Sequence, residues 1–83
     1  MRIPRDLSGS DLVQALSSLG YSVTRQSGSH LRLTTTEHGE HHLTVPKHDA
    51  LRLGTLAAIL ADVADHFGMS RSELVERLFS GGS

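Results

Sequence analysis

The stretch YSVTRQSGSHLRLTTTEHGEHHLTVP, residues 21–46, decides the fold. Tyr21, Val23 and Arg25 alternate with polar residues, so Tyr21–Gln26 reads as a strand. Ser27-Gly28 turns the chain. Over His30–Thr36, Leu31 and Leu33 point one way while His30, Arg32 and Thr34 point the other. Glu37 to Glu40, with Gly39, supplies a second turn. Leu43 and Val45 then alternate with His42 and Thr44 in a third strand. Pro46 ends it, because proline cannot donate to a ladder. Turns this short force adjacent strands to be antiparallel. An antiparallel sheet can cover one face with helices and leave the other wet. Leu31, Leu33, Leu43 and Val45 therefore pack under helices, and His30, Arg32, Thr34, His42 and Thr44 share a polar face.

Helical signals flank this stretch on both sides. Ser8 followed by Asp11 matches a capping box. Leu12, Ala15, Leu16 and Leu19 recur at helical spacing, and Gly20 is placed to end the helix in a left-handed conformation. Downstream, Lys47 to Gly54 is a polar connection interrupted by Leu51 and Leu53. Leu56, Ile59, Leu60, Val63 and Phe67 form a helical stripe that Gly68 ends. Ser70 and Glu73 match a second capping box, with Met69 and Leu74 in hydrophobic-staple positions. A short last helix carries Leu74, Val75, Leu78 and Phe79. Gly81, Gly82 and Ser83 read as a frayed tail. The order is helix, three antiparallel strands, helix and short extra helix, an α+β class. With 83 residues, no internal repeat and no linker, the expectation is one domain over 1–83.

Composition narrows the classes of function. The formal net charge of −1 does not announce a nucleic-acid binder. Its distribution says more: Arg25, Arg32, Lys47 and Arg52 fall in the middle of the chain with most of the histidines, against Glu37, Glu40 and Asp49. The part from Leu53 onward sets Asp62, Asp65, Glu73 and Glu76 against Arg71 and Arg77. A polyanion should meet the middle of the chain. There is no tryptophan and only one tyrosine, which argues against a base-stacking platform. The absence of cysteine fits a reducing cytoplasm. No apolar run approaches membrane-spanning length, so the expectation is a cytoplasmic protein with no membrane partner.

The chemistry concentrates at Gly28, Ser29 and His30. Glycine permits positive φ and close approach of the backbone to a ligand. Histidine is the side chain that exchanges protons near neutral pH. The triplet reads either as proton transfer beside a phosphate or as a tight hairpin turn before a solvent-facing histidine. Arg32 shares the strand face with His30 and could clamp a phosphate, or stand as solvated surface. Lys47 and His48, just after the third strand, could bind phosphate or form a polar loop. His38, His41 and His42, with Glu37 and Glu40, invite a metal reading. Consecutive strand residues point to opposite faces, however, so His41 and His42 cannot both meet one ion. The expectation is no metal and no cofactor. Ser29 beside His30 suggests a nucleophile pair, but no acid is placed to orient the histidine.

Four pieces of the chain, taken in order, carry a resemblance. They are Leu19-Gly20-Tyr21, Arg25 to His30, Leu43 to His48, and Leu53-Gly54-Thr55-Leu56 leading into Ile59-Leu60. From about Ser8 to Leu60 the series resembles the HicA toxin family, also called YcfA-like proteins. The resemblance implies a fold similar to the double-stranded RNA-binding domain. It implies an mRNA endoribonuclease of a toxin–antitoxin system, held in check by a HicB-like antitoxin. Its active histidine follows the Gly-Ser pair, which is His30 here. Two departures are the near-neutral charge and the pair Ala57-Ala58, where the family often carries Lys or Arg. RNA brings its own nucleophile, the 2′-hydroxyl, so a histidine base and a few donors could suffice. His30 would be the base, with Arg32, the Gly28 and Ser29 amides, and Lys47 and His48 as RNA-binding groups. A non-catalytic module that reads RNA by shape and backbone stays open beside it.

Overall fold

Ser8 opens the first helix as its capping box requires. The Asp11 amide donates to Ser8 Oγ at 2.9 Å, and the Ser8 amide donates to Asp11 Oδ2 at 3.2 Å. The computed structural model describes residues 6–80; the expected frayed tail, Gly81 to Ser83, lies outside them. Helix α1 spans Gly9–Leu16 and tightens into a 3₁₀ turn over Ser17–Leu19. Gly20 ends it with φ 85°. A side chain at Gly20 would also meet Glu37 Cγ at 2.6 Å, so both conformation and space call for glycine.

Three strands follow, β1 (Ser22–Ser27), β2 (His30–Thr35) and β3 (His41–Pro46), in the antiparallel order β1-β2-β3. Helix α2 spans Leu53–Phe67 and stops at Gly68, φ 66°. Helix α3, Arg71–Val75, continues into a π-helical turn over Glu76–Ser80. The architecture is α+β, in the expected order. One detail differs: the Glu73 amide donates to Ser70 Oγ at 3.0 Å, but the return bond of a capping box is not made.

The helices cover one face of the sheet. Leu31, Leu33, Leu43 and Val45 are buried there with Leu12 and Leu16 of α1, Leu56, Leu60 and Val63 of α2, and Leu74 and Val75 of α3. Each fully buried leucine or valine contributes roughly 1.5–3 kcal/mol over its exposed state. Thr35 completes the row as a buried polar residue. Its hydroxyl donates to the Leu19 carbonyl at 2.9 Å and accepts the Glu37 amide at 3.1 Å, which ties α1 to the β2–β3 turn. β1 is exposed along its whole length, because an edge strand outreaches the helical cover. Val23 points to the core side and is still 45% exposed.

β1 also departs from simple alternation. The register slips between Val23 and Arg25, so Thr24 is an extra residue, a β-bulge. Val23 sits opposite Leu33 on the core side, and Arg25 sits opposite Arg32 on the polar side. Arg25 therefore leaves the face of Tyr21 and Val23 that alternation gave it.

The β2–β3 turn end gathers His38, His41 and His66. Tyr21 Oη lies 2.7 Å from His41 Nδ1, and His41 Nε2 lies 3.3 Å from Asp62 Oδ1. The His41 and His66 rings stack at 4.4 Å. His66 Nε2–H donates to the Glu37 and Gly39 carbonyls at 2.9 and 3.1 Å, fixing the turn. His38 has φ 57° and sets its ring 5.2 Å from Phe67. Burial first, and the Asp62 charge second, push the Tyr21 hydroxyl up to about 12. The folded chain thus holds this proton more tightly than the unfolded chain does. Stability is full below pH ~10 and falls as pH rises from about 10 to 12. Tyr21 is the single tyrosine and there is no tryptophan, so phenolate absorbance reports it directly. Ionisation of the folded chain near pH 10 would contradict this. Tyr21→Phe should flatten the alkaline loss of stability.

Candidate functional site

Gly28 and Ser29 form the two-residue loop between β1 and β2, with Ser27 paired to His30. Gly28 has φ 58°, while Ser29 is not among the positive-φ residues. A positive φ at the first loop position alone is the type II′ pattern, which suits the twist of a hairpin. A side chain built on Gly28 would meet nothing within 4 Å. Glycine is needed here for its φ, and the space around it is open to a ligand.

His30 opens β2 on the exposed face, between Ser27 on one side and Pro46 on the other. Its ring makes no hydrogen bond or ion pair among the described residues. No described residue orients it, and it is exposed. The Lys47 amide donates to the Ser29 carbonyl at 2.6 Å. That bond draws the chain after β3 onto the loop, so Gly28, Ser29, His30 and Lys47 share one end of the sheet. His48 is held differently: its carbonyl accepts the Gly9 amide at 3.0 Å, which ties its main chain to the start of α1. Its side chain is exposed.

Arg32 is the next outward residue along β2, roughly 6.6 Å from His30 at strand rise. The bulge adds Arg25 directly across from it. Counting by twos through Tyr21–Gln26 missed Arg25, because one extra residue reverses every later side chain. Thr24, a β-former, gives no glycine-like sign of a bulge. Neither arginine has an acidic partner among the described residues; of the acids there, Asp62 pairs with His41 and Glu40 with His42.

His42, one row further, closes a chain of hydrogen bonds on the same face. Thr24 Oγ1–H donates to the Arg32 carbonyl at 3.3 Å, and Thr24 Oγ1 is 3.0 Å from Thr34 Oγ1. Thr34 Oγ1 is 2.8 Å from His42 Nδ1, and His42 Nε2 is 2.7 Å from Glu40 Oε2. Both ends, a carbonyl and a carboxylate, only accept. The array staples the bulge to β3 and engages the Glu40 carboxylate. His41 points to the opposite side, toward Tyr21 and Asp62. The two neighbours diverge, as strand geometry requires. Among the described residues no group of three or more His, Cys, Asp or Glu side chains is placed to hold a metal ion.

This open sheet face carries a histidine and two arginines that have no ion-pair partner among the described residues, and its local charge favours anions. A family model described as HicA toxin of bacterial toxin-antitoxin matches residues 9–64. The chain belongs to the HicA toxin family, and with it to the toxin side of a toxin–antitoxin system that includes an antitoxin partner. No curated protein and no solved structure gives a significant match. The matched residues run from the start of α1 into α2 and hold His30, Arg32, Lys47 and His48. Helix α3 lies beyond the match, yet Leu74 and Val75 are buried in the core. Among the described residues no helix is long and apolar enough to cross a membrane.

Proposed function

We propose that this chain is a metal-independent mRNA endoribonuclease that acts in the cytoplasm and forms one domain over 1–83. The observation that carries the reading is His30, exposed and unengaged beside a glycine loop, with Arg32 one step along the same face. In the proposed reaction His30 takes the proton of a ribose 2′-hydroxyl. The 2′-oxygen attacks the adjacent phosphorus, the bond to the 5′-oxygen breaks, the leaving oxygen takes a proton from water, and the hydroxide left takes back the proton held on His30. Arg32 and Lys47 stabilise the charge that builds on the phosphoryl oxygens. The Gly28 and Ser29 amides, which have no acceptor among the described residues, add donors. His48 adds a further contact to the RNA backbone. The nucleophile lies within the substrate, so the step needs no cofactor.

A HicB-like antitoxin would inhibit by covering the face of His30, Arg32 and His42. The helical side is already used by the core. A partner presenting carboxylates or carbonyls there mimics phosphate, and association is salt-sensitive. One assay tests both parts. Purified toxin should cleave RNA in EDTA and leave 2′,3′-cyclic phosphate ends, and equimolar antitoxin should stop it by competing with RNA. Activity that is lost in EDTA and restored by a divalent ion would overturn the mechanism. RNA binding with no cleavage would point to the non-catalytic module.

A further inference from the structure

We infer that Arg25 and Arg32 together form a seat for an RNA phosphodiester next to the one cleaved at His30. The inference rests on the reading of the polar face as the RNA-binding face and adds a residue to it. The two arginines are a directly opposed cross-strand pair. Opposed side chains on one face have Cβ atoms about 4.5–5.5 Å apart, and like charges so placed destabilise a sheet. A fold that kept this pair for itself would set a carboxylate beside it. None does so among the described residues: Asp62 is paired with His41 and Glu40 with His42. The repulsion is relieved by a bound anion, and guanidinium groups present paired donors that match phosphate oxygens.

The chain also keeps the pair in place. Were β1 to run past Thr24 in regular register, without the bulge, Arg25 would fall opposite Leu31 and face the core side with Val23. Thr24 is fixed by its bonds to the Arg32 carbonyl and to Thr34, and through Thr34 to His42 and Glu40. The bulge is thus stapled at the point where it turns Arg25 outward. The His30 row and the Arg25–Arg32 row are one alternation apart, roughly 6.6 Å along the strand. A single strand lying along β2 would meet the base in one row and the guanidinium pair in the next. The charge complementarity is local, which is how a chain of net charge −1 can hold a polyanion.

The test uses the full chain and a labelled 2′-O-methyl RNA oligonucleotide, which lacks the 2′-hydroxyl and stays intact. Affinity is measured across a salt series for wild type, R25Q, R25K and, as a control on the helical side, R71Q. R25Q should bind about tenfold more weakly at low salt. It should also lose about 0.7 from the slope of log affinity against log salt, the value for one phosphate contact in a single strand. R25K should keep the slope and recover part of the affinity, since it restores charge without the fork. R71Q should match wild type. The inference is overturned if R25Q keeps both slope and affinity, or if it spares RNA and weakens only the antitoxin complex. Circular dichroism of R25Q and the intact charge of R25K separate lost contact from lost fold. If wild type cleaves RNA while R25Q is neutral, the seat fails and the nuclease reading stands. Arg25-dependent binding with no cleavage of unmodified RNA keeps the seat and removes the nuclease.

Discussion

His30→Ala is expected to lower RNA cleavage by about 10²–10⁴-fold, the range a positioned general base contributes. The chain should keep its circular dichroism and its melting temperature. His30 is exposed and its ring bonds to nothing among the described residues, so removing it opens no cavity and orphans no partner. Substitutions at such positions stay within about 0.5 kcal/mol. Induced expression of the variant should leave growth unaffected where wild type arrests it. The same variant should still bind the non-cleavable RNA, because the proposed phosphate seat is untouched. A folded His30→Ala protein as active and as toxic as wild type would end the role of this residue.

The sheet was legible because its burial pattern is simple. Leu31 and Leu33 alternate with His30 and Arg32, and Leu43 and Val45 alternate with His42 and Thr44. The two sets lie on opposite faces in the structure. The helix ends were legible because Ser8, Gly20 and Gly68 each act through local chemistry, a cap or a left-handed φ. What failed to show in the sequence depends on neighbours distant along the chain. Thr35 is an ordinary β-former by type, and its bond to Leu19 appears only once α1 is docked. The bulge at Thr24 is fixed by Thr34 and His42, neither of which is near it in sequence. Arg25 was therefore hidden while Arg32 was plain. Lys47 reached the loop through its amide, a bond to which side-chain type gives no clue. His30 itself was ambiguous from the residues, and the family resemblance is what favours a site there over a plain turn.

Gly9→Ala is expected to cost the chain more stability than any surface change, against the usual rule for glycine in helices. In an open helical position, alanine gains up to about 1 kcal/mol over glycine. Gly54, in the first turn of α2, is such a position: a side chain there would meet nothing within 4 Å, and Gly54→Ala should raise the melting temperature. Gly9 is the opposite case. A Cβ would collide with the Pro46 carbonyl oxygen and would stand 3.1 Å from Pro46 C and 3.2 Å from Lys47 Cα. All three are backbone atoms, so no rotamer change relieves the clash. Overpacking of this kind costs about 1–3 kcal/mol. Moving α1 away would also break the bond from the Gly9 amide to the His48 carbonyl, about 1 kcal/mol more. For a domain of this size each kcal/mol shifts the melting temperature by about 4–8 °C, so a fall on the order of 10–20 °C is expected. The loss reaches function by a defined route. Pro46 pairs with His30, and the Lys47 amide holds the Ser29 carbonyl. Pushing that segment outward loosens the end of the sheet where the proposed base sits. Cleavage should therefore fall even at temperatures where Gly9→Ala remains folded. Thermal melts of both glycine variants, read beside their cleavage rates, check the argument. A Gly9→Ala protein that melts at or above wild type would show that α1 does not set the position of the site.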